Sequence, residues 1–201
     1  MEYLVSCPFC GNENKINTYD VIRPKDEAFS EIMNGHLTFF KCPNCEKLSP
    51  IIKNFIYLDE EKKFVILHKN NEKEFVDLSG FEDKDYLIRI VSNIYELREK
   101  IILFNHGLND RIVELMKVLY KYEVEADIKI DWVERMYIEE DDFNIKLSLI
   151  MAGGNKRSYK FNYDIYNRME ELAYNVCNCI DKDEKVIDYN WAIEKINNNE
   201  C

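Results

Sequence analysis

Apolar residues come in short, strand-like runs over the first third of the chain and in helical stripes over the middle third. Glu2–Ser6 reads as a short strand, and residues 16–22 alternate weakly. Ala28–Met33 predicts a brief helical turn ended by Asn34-Gly35, and residues 36–41 are rich in strand formers. Residues 51–58 and 63–68 predict two strands around the polar turn Asp59-Glu60-Glu61-Lys62. Val65, Ile66 and Leu67 form a continuous run that predicts burial on both faces.

Residues 69–85 are charged and read as a connection. From about Tyr86 to Phe104 the period becomes helical, with Val91, Ile94, Tyr95, Leu97, Ile101 and Ile102 on one face. Gly107 suits a helix C-terminus, and Asn109 suits the N-cap of a second helix bearing Ile112, Leu115, Met116 and Leu119. The short link between the two predicts an antiparallel helix pair. The period then returns to strands. Ile128, Ile130, Trp132 and 136–138 predict one strand, and 145–151, Gly153-Gly154 and 158–163 predict a hairpin. A helix over about 164–180 and a last strand over 186–193 close the chain.

These elements predict an α+β fold. It consists of an N-terminal zinc-ribbon-like module, then a helical hairpin, then a small antiparallel sheet with one packed helix. The expected organisation is a metal-binding module over 1–58, a hairpin plus two-helix segment over 59–124, and a small acidic α+β domain over 125–201.

The chemistry is concentrated in two motifs, Cys7-Pro8-Phe9-Cys10 and Cys42-Pro43-Asn44-Cys45, with 31 residues between Cys10 and Cys42. A Cys-x-x-Cys turn presents two sulfurs on one edge of a tight loop, so two such turns supply the four corners of a tetrahedral, closed metal site. Pro8 and Pro43 pre-set φ and stiffen each turn, and the remaining amides can favour thiolates. Gly11 leaves the first turn where positive φ is needed; Glu46 stands at the same place after the second, so that turn exits differently or carries strain. The two prolines and the duplication argue against a pair of redox disulfides. One zinc per chain is the expected cofactor, with iron as the alternative, since four cysteines also describe a rubredoxin-like site. That likeness stops at the cysteines, because Asn12, Glu13, Asn14 and Lys15 follow Gly11 in place of an aromatic cluster.

With Leu97-Arg98-Glu99-Lys100-Ile101 and residues 109–117 downstream, the paired Cys-Pro-x-Cys motifs resemble the CpXC family of prokaryotic proteins over roughly residues 3–122. The resemblance implies metal binding through Cys7, Cys10, Cys42 and Cys45. Glu46, where glycine is usual, is the departure.

Charge narrows the partners. The net charge is −11. Residues 1–58 hold 6 Lys and Arg against 7 Asp and Glu, while residues 125–201 hold 10 against 17. Binding to nucleic acid needs cationic surface, so a protein-interaction or regulatory module with a protein partner is expected, and a nucleic-acid-associated zinc-ribbon regulator is the alternative. No basic segment leads into an apolar run at the N-terminus, and no stretch reaches 18 apolar residues. With seven cysteines the expectation is a cytoplasmic protein without a membrane span.

The remaining candidates read as structural. His36 lies inside the metal module but is not needed by a closed four-cysteine shell. His106 suits the C-terminal end of a helix dipole. His68 ends a strand and calls for no special role. Cys177, beside Val176 and Ile180, reads as a small buried hydrophobe, Cys179 points elsewhere around the helix, and Cys201 is terminal. Glu139-Glu140-Asp141-Asp142 reads as a solvated loop. No nucleotide-binding, zinc-protease or serine-hydrolase motif occurs, so nothing in the sequence points to an enzyme.

Overall fold

The computed structural model describes residues 2–127, 132–142, 144–176 and 183–198. The fold is α+β, with six helices and four small sheets among the described residues. The chain divides into two compact units, residues 1–98 and 99–201.

The first unit opens with β1 (Glu2–Ser6) and β2 (Glu13–Asn17), an antiparallel pair that carries the first Cys-Pro-x-Cys turn at its tip. The weak alternation after Ile16 does not continue as one strand. Residues 21–22 form β3 (Val21–Ile22), which joins a different sheet. The helix α1 (Ala28–Met33) follows, and Asn34-Gly35 ends it with Gly35 at φ 75°. A second antiparallel pair, β4 (Phe39–Lys41) and β5 (Leu48–Pro50), carries the second cysteine turn.

The strand expected over 51–58 starts later, as β6 (Phe55–Asp59). It pairs antiparallel with β7 (Phe64–His68), and every residue of both strands is buried, as the unbroken apolar run predicts. Asn54 accounts for the late start. Its Oδ1 accepts the amides of Asn70 and Asn71, and its Nδ2 donates to the carbonyls of Asn71 and Glu74, so the side chain takes the place of strand pairing. After the single turn of α2 (Ser79–Glu82) comes the first correction. Residues 87–91 form β8 (Leu87–Val91), parallel to β7, where the sequence pattern predicts helix. The β-branched residues Ile88, Ile90 and Val91 favour a strand, and they also extend the apolar stripe of the helix that follows. That helix, α3 (Ile94–Asn105), starts at a local signal, because Asn93 Oδ1 accepts the amides of Tyr95 and Glu96. The sheet order is therefore β3-β6-β7-β8, a mixed sheet rather than a purely antiparallel one. Ile56, Leu58, Val65, Leu67 and Ile88 form its core on one face.

Helix α3 runs across the division between the units, and α4 (Asp110–Asp127) follows the turn at Gly107, whose φ is 68°. Asn109 caps α4 through the Arg111 amide. Ion pairs from Lys100 to Glu114 and from Lys117 to Glu99 fix the antiparallel approach of α3 and α4. The single apolar side expected on α4 is too narrow. Residues 110–118 are buried all round, while Leu119 is exposed. Strands β9 (Val133–Asp141), β10 (Asn144–Met151) and β11 (Lys156–Lys160) form an antiparallel sheet, turned at Gly154. Residues Ile128 and Ile130, expected in its first strand, lie outside the described residues. Helix α5 (Tyr163–Val176) packs on α4.

The last expected strand, 186–193, is instead the start of helix α6 (Tyr189–Asn197), also packed on α4. Asp188 caps it by accepting the Trp191 amide at 2.8 Å. Trp191, Ala192 and Ile187 bury against Leu115 and Val118, so packing on α4 favours the helix over a strand. No helix among the described residues is long and apolar enough to cross a membrane.

Candidate metal centre

The two cysteine turns have the same backbone. The Gly11 amide bonds the Cys7 carbonyl at 2.9 Å, and the Glu46 amide bonds the Cys42 carbonyl at 2.8 Å. The Cys7 amide bonds the carbonyl of Asn12, and the Cys42 amide that of Lys47, at the same offset. Glu46 has φ 58° and Gly11 φ 74°, so both turns exit through a left-handed residue. The second turn exits as the first does, and Glu46 bears the steric cost that glycine avoids.

The turns approach head to head. The sulfurs of Cys7 and Cys45 are 3.7 Å apart, as are those of Cys10 and Cys42, and all four lie within 4.8 Å of one another. A metal–sulfur bond of about 2.3 Å gives a tetrahedron whose edge is roughly 3.8 Å, so these contacts have the right size for ligation. They are far longer than a disulfide of about 2.05 Å, and all four cysteines are free thiols. Cys7 and Cys42 are buried, and Cys10 and Cys45 are half-buried. Phe40 packs against the cluster, with Val5, Ile16 and Ile51 beside it.

A second symmetry was not read from the sequence. Ser49 Oγ lies 3.6 Å from Cys7 Sγ, and Asn14 Nδ2 donates to Cys42 Sγ at 3.9 Å. Each stands four residues after the last cysteine of its own turn, and each reaches the first cysteine of the other. That shared offset was the available signal. The sulfurs differ in acidity accordingly. Burial opposes the Cys7 thiolate, but Ser49 and the amides of Phe9 and Cys10 outweigh it and bring the thiol down to about 6. The amide of Cys45 holds the Cys42 thiol below its ordinary value, against burial. The Lys47 amide favours the Cys45 thiolate, yet burial and the three neighbouring sulfurs push that thiol up to about 11. Amides aimed at sulfur and a tetrahedral spacing are what a soft divalent metal requires, so the four residues fit one.

A family model, that of the CpXC protein, matches residues 5–117, more than half of the chain. The chain belongs to the CpXC family. No curated protein and no solved structure matches it. Cys7, Cys10, Cys42 and Cys45 are the group of side chains able to hold a metal ion found among the described residues of this CpXC chain.

The other candidates stay apart from that cluster. His36 is exposed on the segment before β4. His106 Nε2 lies 2.6 Å from Glu140 Oε1, a side-chain partner in addition to the helix terminus. The acidic run is not a free loop. Glu139, Glu140 and Asp141 end β9, and their carboxylates meet Lys156, His106 and Lys146. His68 does call for an account. It is 1% exposed and stacks on Phe55 at 4.7 Å, and burial lowers its pKa to about 4. Cys177, Cys179 and Cys201 lie outside the described residues.

The second unit holds a cluster that sequence reasoning missed. Glu99, Lys100, Asp110, Glu114 and Lys117 are all at most 4% exposed. Lys100 bonds Asp110 at 3.0 Å and Glu114 at 3.2 Å, and Lys117 bonds Glu99 at 2.5 Å and Glu114 at 3.0 Å. Glu99 also accepts the Ile138 amide of β9 at 2.6 Å. Burial pushes the Glu99 carboxyl up to about 7, although Lys117 opposes the shift. The signal was the spacing of 110, 114 and 117, which puts three charges on one face of a helix whose neighbouring positions are apolar.

Proposed function

We propose that the four cysteines hold one structural zinc ion in a zinc-ribbon-like module, and that this protein is a metal-stapled interaction module. The observation that carries the reading is the set of four free sulfurs within 4.8 Å, presented by two matching turns. Zinc is preferred because a closed thiolate shell leaves no open position for substrate, which suits a structural ion. When bound, zinc supplies a tetrahedral cross-link between the two turns. The chain's own residues then do the rest: Ser49 and Asn14 orient the sulfurs, and Phe40, Ile16 and Ile51 keep water from one side of them.

A net charge of −11 favours a protein partner over nucleic acid. Four thiols kept free suit a reducing compartment such as the cytoplasm. Elemental analysis of protein purified anaerobically without added metal tests the assignment. One zinc per chain is expected. One iron per chain would replace the structural reading with an electron-transfer one, and no metal would remove both.

A further inference from the structure

The antiparallel sheet of the second unit, in the order β11-β10-β9, has two unlike edges. Along the β9 edge, helix carboxylates take up backbone amides. Ile138 donates to Glu99 Oε2 at 2.6 Å, and Val133 donates to Glu125 Oε1 at 3.0 Å. No such bond covers the β11 edge among the described residues, and all five residues of β11 are exposed.

The register tells which groups that edge leaves open. The Phe161 amide bonds the Ile145 carbonyl at 3.0 Å, and the Met151 amide bonds the Asn155 carbonyl at 2.9 Å, at the two ends of the β10–β11 pairing. Hydrogen-bonded pairs alternate along an antiparallel ladder, so Arg157 and Tyr159 turn their backbone groups toward Leu149 and Leu147. Lys156, Ser158 and Lys160 turn theirs outward. Their amides and carbonyls form a row with no strand beyond it among the described residues.

The side chains give the occupant its charge. Residues 152–163 hold Lys156, Arg157 and Lys160 and no carboxylate, in a chain whose net charge is −11. Lys156 is already paired with Glu139 at 2.5 Å. Arg157 and Lys160 are exposed, make no ion pair among the described residues, and lie on opposite faces of the strand. Two unpaired cations flanking an open ladder complement an acidic strand. A second copy of the same edge fits badly. Antiparallel pairing about Ser158 would set Lys156 of one copy against Lys160 of the other, twice, and like charges directly opposite are destabilising.

We propose that β11 is a docking edge, where an extended acidic segment of a partner protein adds a fourth strand to the sheet. It would pair with the outward backbone of Lys156, Ser158 and Lys160 and set Asp or Glu side chains against Arg157 and Lys160. The proposal rests on the interaction reading above and gives that partner its chemistry and its place of docking.

Displayed dodecapeptides panned against the full-length, zinc-loaded chain test it, with the enriched peptides titrated by calorimetry and followed by amide exchange. Enriched peptides should carry two or more Asp or Glu among strand-forming residues and should bind more weakly as salt rises. They should slow exchange at the amides of Lys156, Ser158 and Lys160. The amides of Arg157 and Tyr159 already face β10 and should change little. Arg157→Glu combined with Lys160→Glu should weaken binding roughly tenfold or more, with metal content and melting temperature unchanged, because both side chains are exposed and unpaired. Ser158→Pro removes one outward amide while leaving the bonds to β10, and should weaken binding by a similar factor. Peptides that bind both variants as tightly as wild type, or that protect other amides, would overturn the docking edge. Enrichment of peptides without acidic residues, or no enrichment, would overturn it too. Dimerisation of the chain that Ser158→Pro abolishes would replace the partner protein with a second copy. None of these results touches the interaction reading, which is judged separately by whether the zinc-loaded chain cross-links to a defined protein in its native cell.

Discussion

The two units bury polar side chains in opposite ways. In the first, four sulfurs converge with no countercharge of their own, in an arrangement that could hold a metal ion. In the second, three carboxylates and two ammonium groups converge and pair with one another. On the structural-zinc reading proposed above, the first solution is conditional on a ligand, and the second is internal to the chain. Conditional stability lets metal supply control a surface, whereas a buried charge cluster mainly fixes which helix faces meet.

The largest expected effect breaks the first cluster. Cys42→Ser should drop metal stoichiometry below one and abolish amide protection through residues 2–58, while α4, α5 and α6 keep theirs. If the cluster holds zinc as proposed, the metal contributes about 10 kcal/mol or more to folding. A variant with full metal content and an unchanged melting temperature would sink the four-cysteine site. Next comes Lys117→Met, which strands Glu99 and Glu114 without their shared partner. Loss of about 3–5 kcal/mol is expected by denaturant titration, and Glu99→Gln in the same chain should recover part of it.

The two units should also respond to pH with opposite signs. His68 has a folded pKa of about 4 against an ordinary 6.5, so the unfolded chain takes up the extra proton between those values. Stability should therefore fall as pH drops from 6.5 to 4, by about 3 kcal/mol from this group. The difference between wild type and His68→Phe isolates that slope from acid release of metal. Glu99 has a folded pKa of about 7 against 4.5, so its contribution is present below 4.5 and is lost as pH rises through 7. Amide exchange should show α3 and α4 opening more readily on that rise, and Glu99→Gln should remove the trend. The smallest effect concerns the second turn. Glu46→Gly relieves a left-handed non-glycine residue and should raise stability by about 0.5–1 kcal/mol without changing metal content.

What could be read in advance follows the same division. The cysteine turns were legible because spacing alone dictates their geometry. The burial of Val65–Leu67 was legible because a short, unbroken apolar run suits a strand covered on both faces. Residues 87–91 were not, since Val91 and Ile94 prolong the stripe of α3 and hide a strand held by parallel pairing to β7. Residues 189–193 were not, because their helix depends on Trp191 finding Leu115 and Val118 far away in the chain. The charge cluster was hidden for a related reason. Glu99 and Lys117 look like ordinary helix-surface residues until the antiparallel turn at Gly107 brings them face to face. The cysteine cluster was found, but Ser49 and Asn14 were not, because their shared offset after each turn gains meaning only once the two turns are seen to face each other.

Two matching turns clamped to each other make a closed ring of everything between Cys7 and Cys45. The entropy of closing such a ring rises only with the logarithm of its length, about 0.6 kcal/mol for each doubling. The helix α1 within the ring is anchored by Ala28 and Ile32, but residues 23–27 are exposed. Extra chain inserted at that exposed bend should therefore leave the two turns almost as easy to bring together, so this is where the chain can change its outline without touching its cysteine cluster.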